Sequence, residues 1–366
     1  MRLLAILIIV SSSVAGAQSA LPPLPAPIGV PKPGPITDAP YAPQPIVPGG
    51  VVVPLYAAGS PFLNAKRVRE AEVYTLSQTV PGRINSIVNI HNPSIEFHPV
   101  DRSMNTGAAV ILVPGGGHNA LVIGSEAADF VPYFYQYGIN TVILRYRLRR
   151  DGYNAETDAV YDAQQAIRVV RAYAKEWNLD PNRIGIIGFS AGAELSAPSA
   201  LSFAEFDRKT GANEPFAGVS SRPDFVGIVY PGPTPFSVRN HTGPSTFAAR
   251  NPSPPPIPRN APPAFMASAG SGDRIHALWA MDYAHAMLDA GVPNVEIHVY
   301  GNGRHPGDSL SDGGRMTGGL SAANSRPMST WSARFIDWFR DLGFMQKPGV
   351  ETKAARDVAA FVAQSH

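Results

Sequence analysis

A chain of 366 residues, 44% of them hydrophobic, is long enough for one large α/β domain or two small ones around a sizeable core. Its formal charge of +2 is scattered without a basic stripe, which leaves no footprint for nucleic acid. With no cysteine, thiol nucleophiles, thiolate metal sites and disulfides are excluded.

Arg2, the apolar run Leu3 to Val10 and the small residues Ala15-Gly16-Ala17 read as a signal peptide over residues 1–17. Export to the periplasm or the medium is therefore expected. That run is too short to span a bilayer, and no later stretch reaches about 18 uninterrupted apolar residues, so no integral membrane segment is expected after signal removal. Residues 18–65 are dense in Pro and Gly, as in Pro31-Lys32-Pro33-Gly34-Pro35, and are expected to form an extended linker with neither helix nor strand. The folded domain is expected over 66–345, followed by a tail, 346–366, ending in a weak helix that carries Val358, Phe361 and Val362.

Within the domain, Val68 to Leu76 and Ile84 to Ile90 read as the first strands. Ala108 to Val113 is a continuous apolar run of the kind found in a sheet covered on both faces, and it ends in Pro114-Gly115-Gly116-Gly117-His118. A helix is expected around Glu126 to Tyr137, then a strand at Ile139 to Leu144. From Thr157 to Trp177 the apolar residues Val160, Ala163, Ile167, Val170 and Ala174 recur at spacings of three and four, which predicts the clearest helix. Ile184 to Phe189 is a short buried strand running into Ser190. Later strands are expected at Phe225 to Tyr230, Ala264 to Ala269 and Val295 to Tyr300, with helices near His276 to Ala290 and Ser329 to Leu342. Ser202 to Arg222 and Pro231 to Pro263 read as loops beside a ligand crevice. Strands alternating with helices predict an α/β fold: a mostly parallel central sheet with helices on both faces.

The chemistry is carried by Gly188-Phe189-Ser190-Ala191-Gly192, set between a strand and a helix. In that setting the serine sits on a tight turn with its hydroxyl raised above the sheet. A hydroxyl needs a neighbouring base, itself held by a carboxylate. Asp273 follows the Ala264 to Ala269 strand and His305 follows the Val295 to Tyr300 strand, so both fall in the order and place such a triad needs. His276, His285 and His298 lie within helix or strand patterns and read as structural. Developing negative charge on a substrate oxygen requires amide donors; Ala191 supplies one, and either Gly116 or Gly117 the other. His118 either lines the substrate site or simply ends the turn. Glu194, one turn into the following helix, reads as structural. His91, His98, His118 and His305 lack tight metal-ligand spacing, so no metal is expected.

Together these segments resemble the α/β-hydrolase esterases of the acetyl xylan esterase-like or carbohydrate acetylesterase-like group. The likeness rests on Val113 to Gly117, Arg145-Tyr146-Arg147-Leu148, Asp162 to Trp177, Asp180 to Gly185 and Gly188 to Gly192. It implies the α/β-hydrolase fold and hydrolysis of short acyl esters, often acetyl groups on xylan or related sugars, without a cofactor and with a small-molecule or carbohydrate ester as partner. Relatives commonly carry Gly-Gly-His after the Ser-Ala of the turn, where this chain has Gly192-Ala193-Glu194. A serine exopeptidase or prolyl-oligopeptidase-like hydrolase is the alternative within the fold, and a catalytically silent binding protein the alternative outside enzymes. The acyl group, the alcohol and the oligomeric state stay open at this level.

Overall fold

The computed structural model describes residues 26, 28–34, 37–78, 80–210, 214–238, 251–306, 319–320 and 327–364. The expected signal peptide, 1–17, lies outside them. The chain forms β1 (Val51–Pro54), β2 (Val73–Leu76), β3 (Ile84–Val88), β4 (Ser94–His98) and β5 (Ala109–Val113) before α1 (Phe130–Tyr135) and β6 (Asn140–Arg145). Then come α2 (Val160–Ala172), β7 (Ile184–Phe189), α3 (Ala193–Lys209), β8 (Val226–Val229) and β9 (Ala264–Ser271). The last elements are α4 (Arg274–Asp289), β10 (Glu296–Asn302), α5 (Trp331–Asp341) and α6 (Lys353–Gln364).

Eight strands make one sheet in the order β1-β4-β6-β5-β7-β8-β9-β10, while β2 and β3 form a separate hairpin. From β6 to β10 every pairing is parallel; β1 and β4 add an antiparallel edge. Every residue of β5, β6, β7 and β8 is buried, so helices must cover both faces. On one side α2 packs on α3. Elsewhere α1 and α5 meet through Phe134 and Phe335, and Phe189 of β7 lies against Phe130 and Trp331. The carboxyl ends of β5, β7, β9 and β10 thus open together at one rim of the sheet.

The expected linker is not loose over its second half. Ile46, Val47, Leu55 and Tyr56 are core residues, and β1 pairs with β4 as the sheet's edge. The domain therefore begins well before Lys66. Prolines hid this segment because they remove ladder donors, yet Pro54 sits at the end of an edge strand, where that loss is tolerated. A buried ionic knot docks it. The Glu96 carboxylate on β4 accepts the Ile46 and Val47 amides at 3.0 Å and pairs with Arg145, whose Nη2 also donates to the Gln44 carbonyl at 2.6 Å.

Two further boundaries differ from expectation. Helix α3 runs on to Lys209 through half of the supposed loop, because Leu201, Phe203 and Phe206 keep an apolar face buried. The tail is docked: Arg183 donates to the carbonyls of Lys347 and Val350 at 2.8 and 2.6 Å, and Ala354 and Val358 of α6 are buried.

Candidate active site

Strand β7 runs directly into Ser190, whose φ of +50° is a left-handed conformation that a side chain tolerates only under constraint. The flanking glycines supply it. A Cβ on Gly188 would lie 2.4 Å from the Gly192 carbonyl oxygen, and one on Gly192 would lie 2.0 Å from that of Val113. Backbone packs where side chains would be, and α3 can start three residues after the serine.

Asp273 and His305 are placed by the ends of β9 and β10, which are stitched together beyond their last residues. Gly303 donates its amide to Ser271 at 3.0 Å, and Gly272, at φ +88°, leaves no room for a Cβ, which would stand 2.4 Å from the Gly303 carbonyl. That close approach brings the carboxylate and the imidazole together. Ser190 Oγ lies 2.8 Å from His305 Nε2, and His305 Nδ1 lies 3.1 Å from Asp273 Oδ2. The three residues proposed from chain order thus form one hydrogen-bonded line.

His276 belongs to this cluster as well, against its reading as structural. Its Nδ1 bonds the second oxygen of Asp273, and its ring stacks on His305 with centroids 3.6 Å apart and planes 14° from parallel. Burial pushes the Asp273 carboxyl upward, but hydrogen bonds from His276 and His305 outweigh it and hold the group below the usual range. Burial lowers His276 itself, keeping it neutral at pH 7. Asp273, His276 and His305 are close enough to share a metal ion. Their donors and acceptors are already matched to one another and to Ser190, so the cluster is accounted for without one.

The glycine run after β5 forms the facing wall. Gly116 has φ +122°, and a Cβ there would fall 2.1 Å from the Ala120 carbonyl oxygen; Gly117 has φ +63°. Neither amide donates to another described residue, whereas the Gly115 amide donates to Glu126 Oε2 at 2.6 Å. Gly116, Gly117 and Ala191 line a cavity of about 570 Å³ together with Ser190, His305 and Trp279. The loop is braced from beneath by the Tyr146 hydroxyl, which donates to the Pro114 carbonyl at 2.8 Å.

Glu126 went unnoticed in the sequence, where it sits among small apolar residues in what reads as an ordinary helix start. It is buried in a π-type turn, Gly124–Ala128, and accepts the Tyr230 hydroxyl at 3.0 Å as well as the Gly115 amide. Burial pushes its carboxyl up to about 7 despite those two donors. The Tyr230 ring stands edge-on to His305, with centroids 5.5 Å apart. His118, at φ +59°, lies 3.3 Å through Nε2 from Glu194 Oε2, so Glu194 reaches back to the glycine loop.

A nucleophile turn after the central strand, an acid and a histidine after later strands, and a glycine loop opposite them on a mostly parallel sheet define the α/β-hydrolase fold. Residues 97–237 match the family model BD-FAE. An acetylxylan esterase of Xylanibacter ruminicola is 33% identical over 132 residues, which cover 36% of this chain and 24% of that protein. Among solved structures, an acetyl ester-xyloside bifunctional hydrolase from Caldicellulosiruptor lactoaceticus superposes with a TM-score of 0.57 at 24% identity, covering 82% of this chain and 99% of that one. A carboxylesterase from Lactobacillus plantarum gives 0.53 at 18% identity, over 69% and 93%. This chain spans between 24% and 34% of the length of the curated relatives it matches.

Proposed function

We propose that this protein is a serine esterase that removes short acyl groups, acetyl foremost, from carbohydrate esters. The observation that carries the reading is the strained Ser190 hydroxyl 2.8 Å from an imidazole that is itself held by a buried carboxylate. The similarity to an acetylxylan esterase and to solved esterases supports the choice of ester and of sugar.

In this mechanism His305 Nε2 takes the Ser190 proton as Oγ attacks the ester carbonyl carbon. Asp273 keeps the proton of His305 on Nδ1, which leaves Nε2 free to act as base, and it balances the imidazolium that forms. The amides of Ala191 and of Gly116 or Gly117 donate to the oxyanion, each contributing about 2.7–4 kcal/mol in the transition state. Collapse expels the alcohol, which takes the proton from His305. Water, activated by the same imidazole, then attacks the acyl-serine and frees the acid. Ser190→Ala is expected to lower kcat for p-nitrophenyl acetate on the order of 10⁴-fold or more. Retained activity in that variant sinks the assignment. Comparing acetylated xylan with a dipeptide anilide separates an esterase from a peptidase. Arg2, Leu3 to Val10 and Ala15-Gly16-Ala17 support export as part of the same proposal, tested by finding the mature N-terminus after Ala17 in protein from the periplasm or medium.

A further inference from the structure

Beside the cavity that holds Ser190 lies a second one of about 220 Å³, and the two share Glu194 and Pro233 as a common wall. The Glu194 carboxylate is fixed on one side only. His118 holds Oε2 at 3.3 Å, while no hydrogen bond from a described residue reaches Oε1. Oε1 occupies space that only a glycine leaves open, since a Cβ on Gly232 would stand 1.9 Å from it. Gly232 is in turn tied by its amide to the Ser190 carbonyl at 3.2 Å. An acceptor thus stands in the wall of the cavity that holds the reacting hydroxyl.

His118 shows that this arrangement is not ordinary core packing. It is buried in a left-handed backbone conformation, and its Nδ1 has no hydrogen-bond partner among the described residues. Strained backbone and an unpaired buried nitrogen both oppose folding. What they maintain is the position of the Glu194 carboxylate.

We propose that Glu194 is a substrate-binding residue, positioned by His118, that accepts hydroxyl hydrogen bonds from the sugar ring carrying the ester, and that the second cavity is the subsite for that ring. The lining favours a polyol over other occupants. Thr234 and Ser237, whose hydroxyls bond each other at 2.9 Å and keep further lone pairs, stand beside the Glu156 and Glu194 carboxylates, and Pro198, Pro233 and Pro235 give flat apolar surface. Among the described residues that line it there is no Phe, Tyr or Trp to present an aromatic face to a quaternary ammonium. A carboxylate is a strong acceptor for paired sugar hydroxyls, and a site built to bond a hydroxyl strongly rejects a substrate that lacks it.

This inference rests on the esterase reading, and the test separates the two. The ratio of kcat/KM for an acetylated methyl xyloside to that for p-nitrophenyl acetate is measured in the wild-type protein, in Glu194→Gln and in His118→Ala. Glu194→Gln keeps the side chain's shape and removes its charge, so it guards against misfolding; fluorophosphonate labelling reports that the site is assembled. The ratio is expected to fall at least tenfold in both variants, and His118→Gln, which can restore a donor to Glu194, is expected to recover part of the loss. An unchanged ratio with both esters still hydrolysed overturns the subsite and leaves the esterase reading standing. A wild-type preference for acetylcholine over the xyloside also overturns it. Hydrolysis of neither ester by the wild-type protein defeats the esterase reading and the subsite with it.

Discussion

Glu126 gives the sharpest pH prediction. Its carboxyl is pushed from an ordinary value of 4.5 up to about 7, chiefly by burial, and a group so placed binds its proton more tightly in the folded chain than in the unfolded one. Between pH 4.5 and 7 the native state therefore holds a proton that the unfolded state has lost. The stabilisation is fully present below 4.5 and disappears as the pH rises through 7. A rise from 4.5 to about 7 corresponds to about 3 kcal/mol. Glu126→Gln keeps an oxygen for the Gly115 amide and removes the titration. Urea unfolding of both proteins from pH 4.5 to 8.5 gives the difference in stability, in which the groups common to both cancel. Wild type minus variant is expected to fall by about 3 kcal/mol and to level off above about pH 8. A flat difference, or one that rises with pH, refutes the reasoning.

Three other substitutions probe separate parts of the molecule. Gly116→Ala would place a Cβ 2.1 Å from the Ala120 carbonyl oxygen, so the loop must shift; kcat for p-nitrophenyl acetate is expected to drop on the order of 10²–10³-fold. His276→Phe keeps a ring against His305 but removes the hydrogen bond to Asp273. A drop in kcat of about tenfold with an unchanged circular dichroism spectrum is expected, whereas an unchanged kcat makes His276 packing alone. Glu96→Ala strands Arg145 half-paired beneath the N-terminal segment and is expected to cost about 3–5 kcal/mol in urea unfolding. A cost under about 1 kcal/mol shows that the segment docks by other means.

Residues whose chemistry is local were legible in the sequence. Ser190 follows an uninterrupted apolar strand, Asp273 follows a largely apolar one and His305 follows one in which apolar and polar residues alternate, and the order of these strand ends predicts that they meet. The glycines at 116, 188 and 192 are legible for a related reason, since backbone must pass where a Cβ would collide. What stayed hidden depends on partners distant in the chain. β4 reads Ser-Ile-Glu-Phe-His, and its buried Glu96 and His98 break the apolar pattern; Arg145, 49 residues away, and the Ile46 and Val47 amides make that burial tolerable. β1 was masked by prolines, and its pairing is visible only from β4. Glu126 looks like any first-turn acid until Tyr230 and the Gly115 amide close over it. His276 lies on a helical face, where spacing says nothing of the carboxylate it shares with His305.

During turnover by this mechanism one oxygen, Ser190 Oγ, becomes acylated. Acid quenching of the protein while it hydrolyses p-nitrophenyl acetate, followed by peptide mapping in a mass spectrometer, reads this directly. An acetyl group on the peptide carrying Ser190, and its loss in Ser190→Ala together with turnover, is the predicted result. Acetyl found on another side chain, or turnover that persists in Ser190→Ala, contradicts the account.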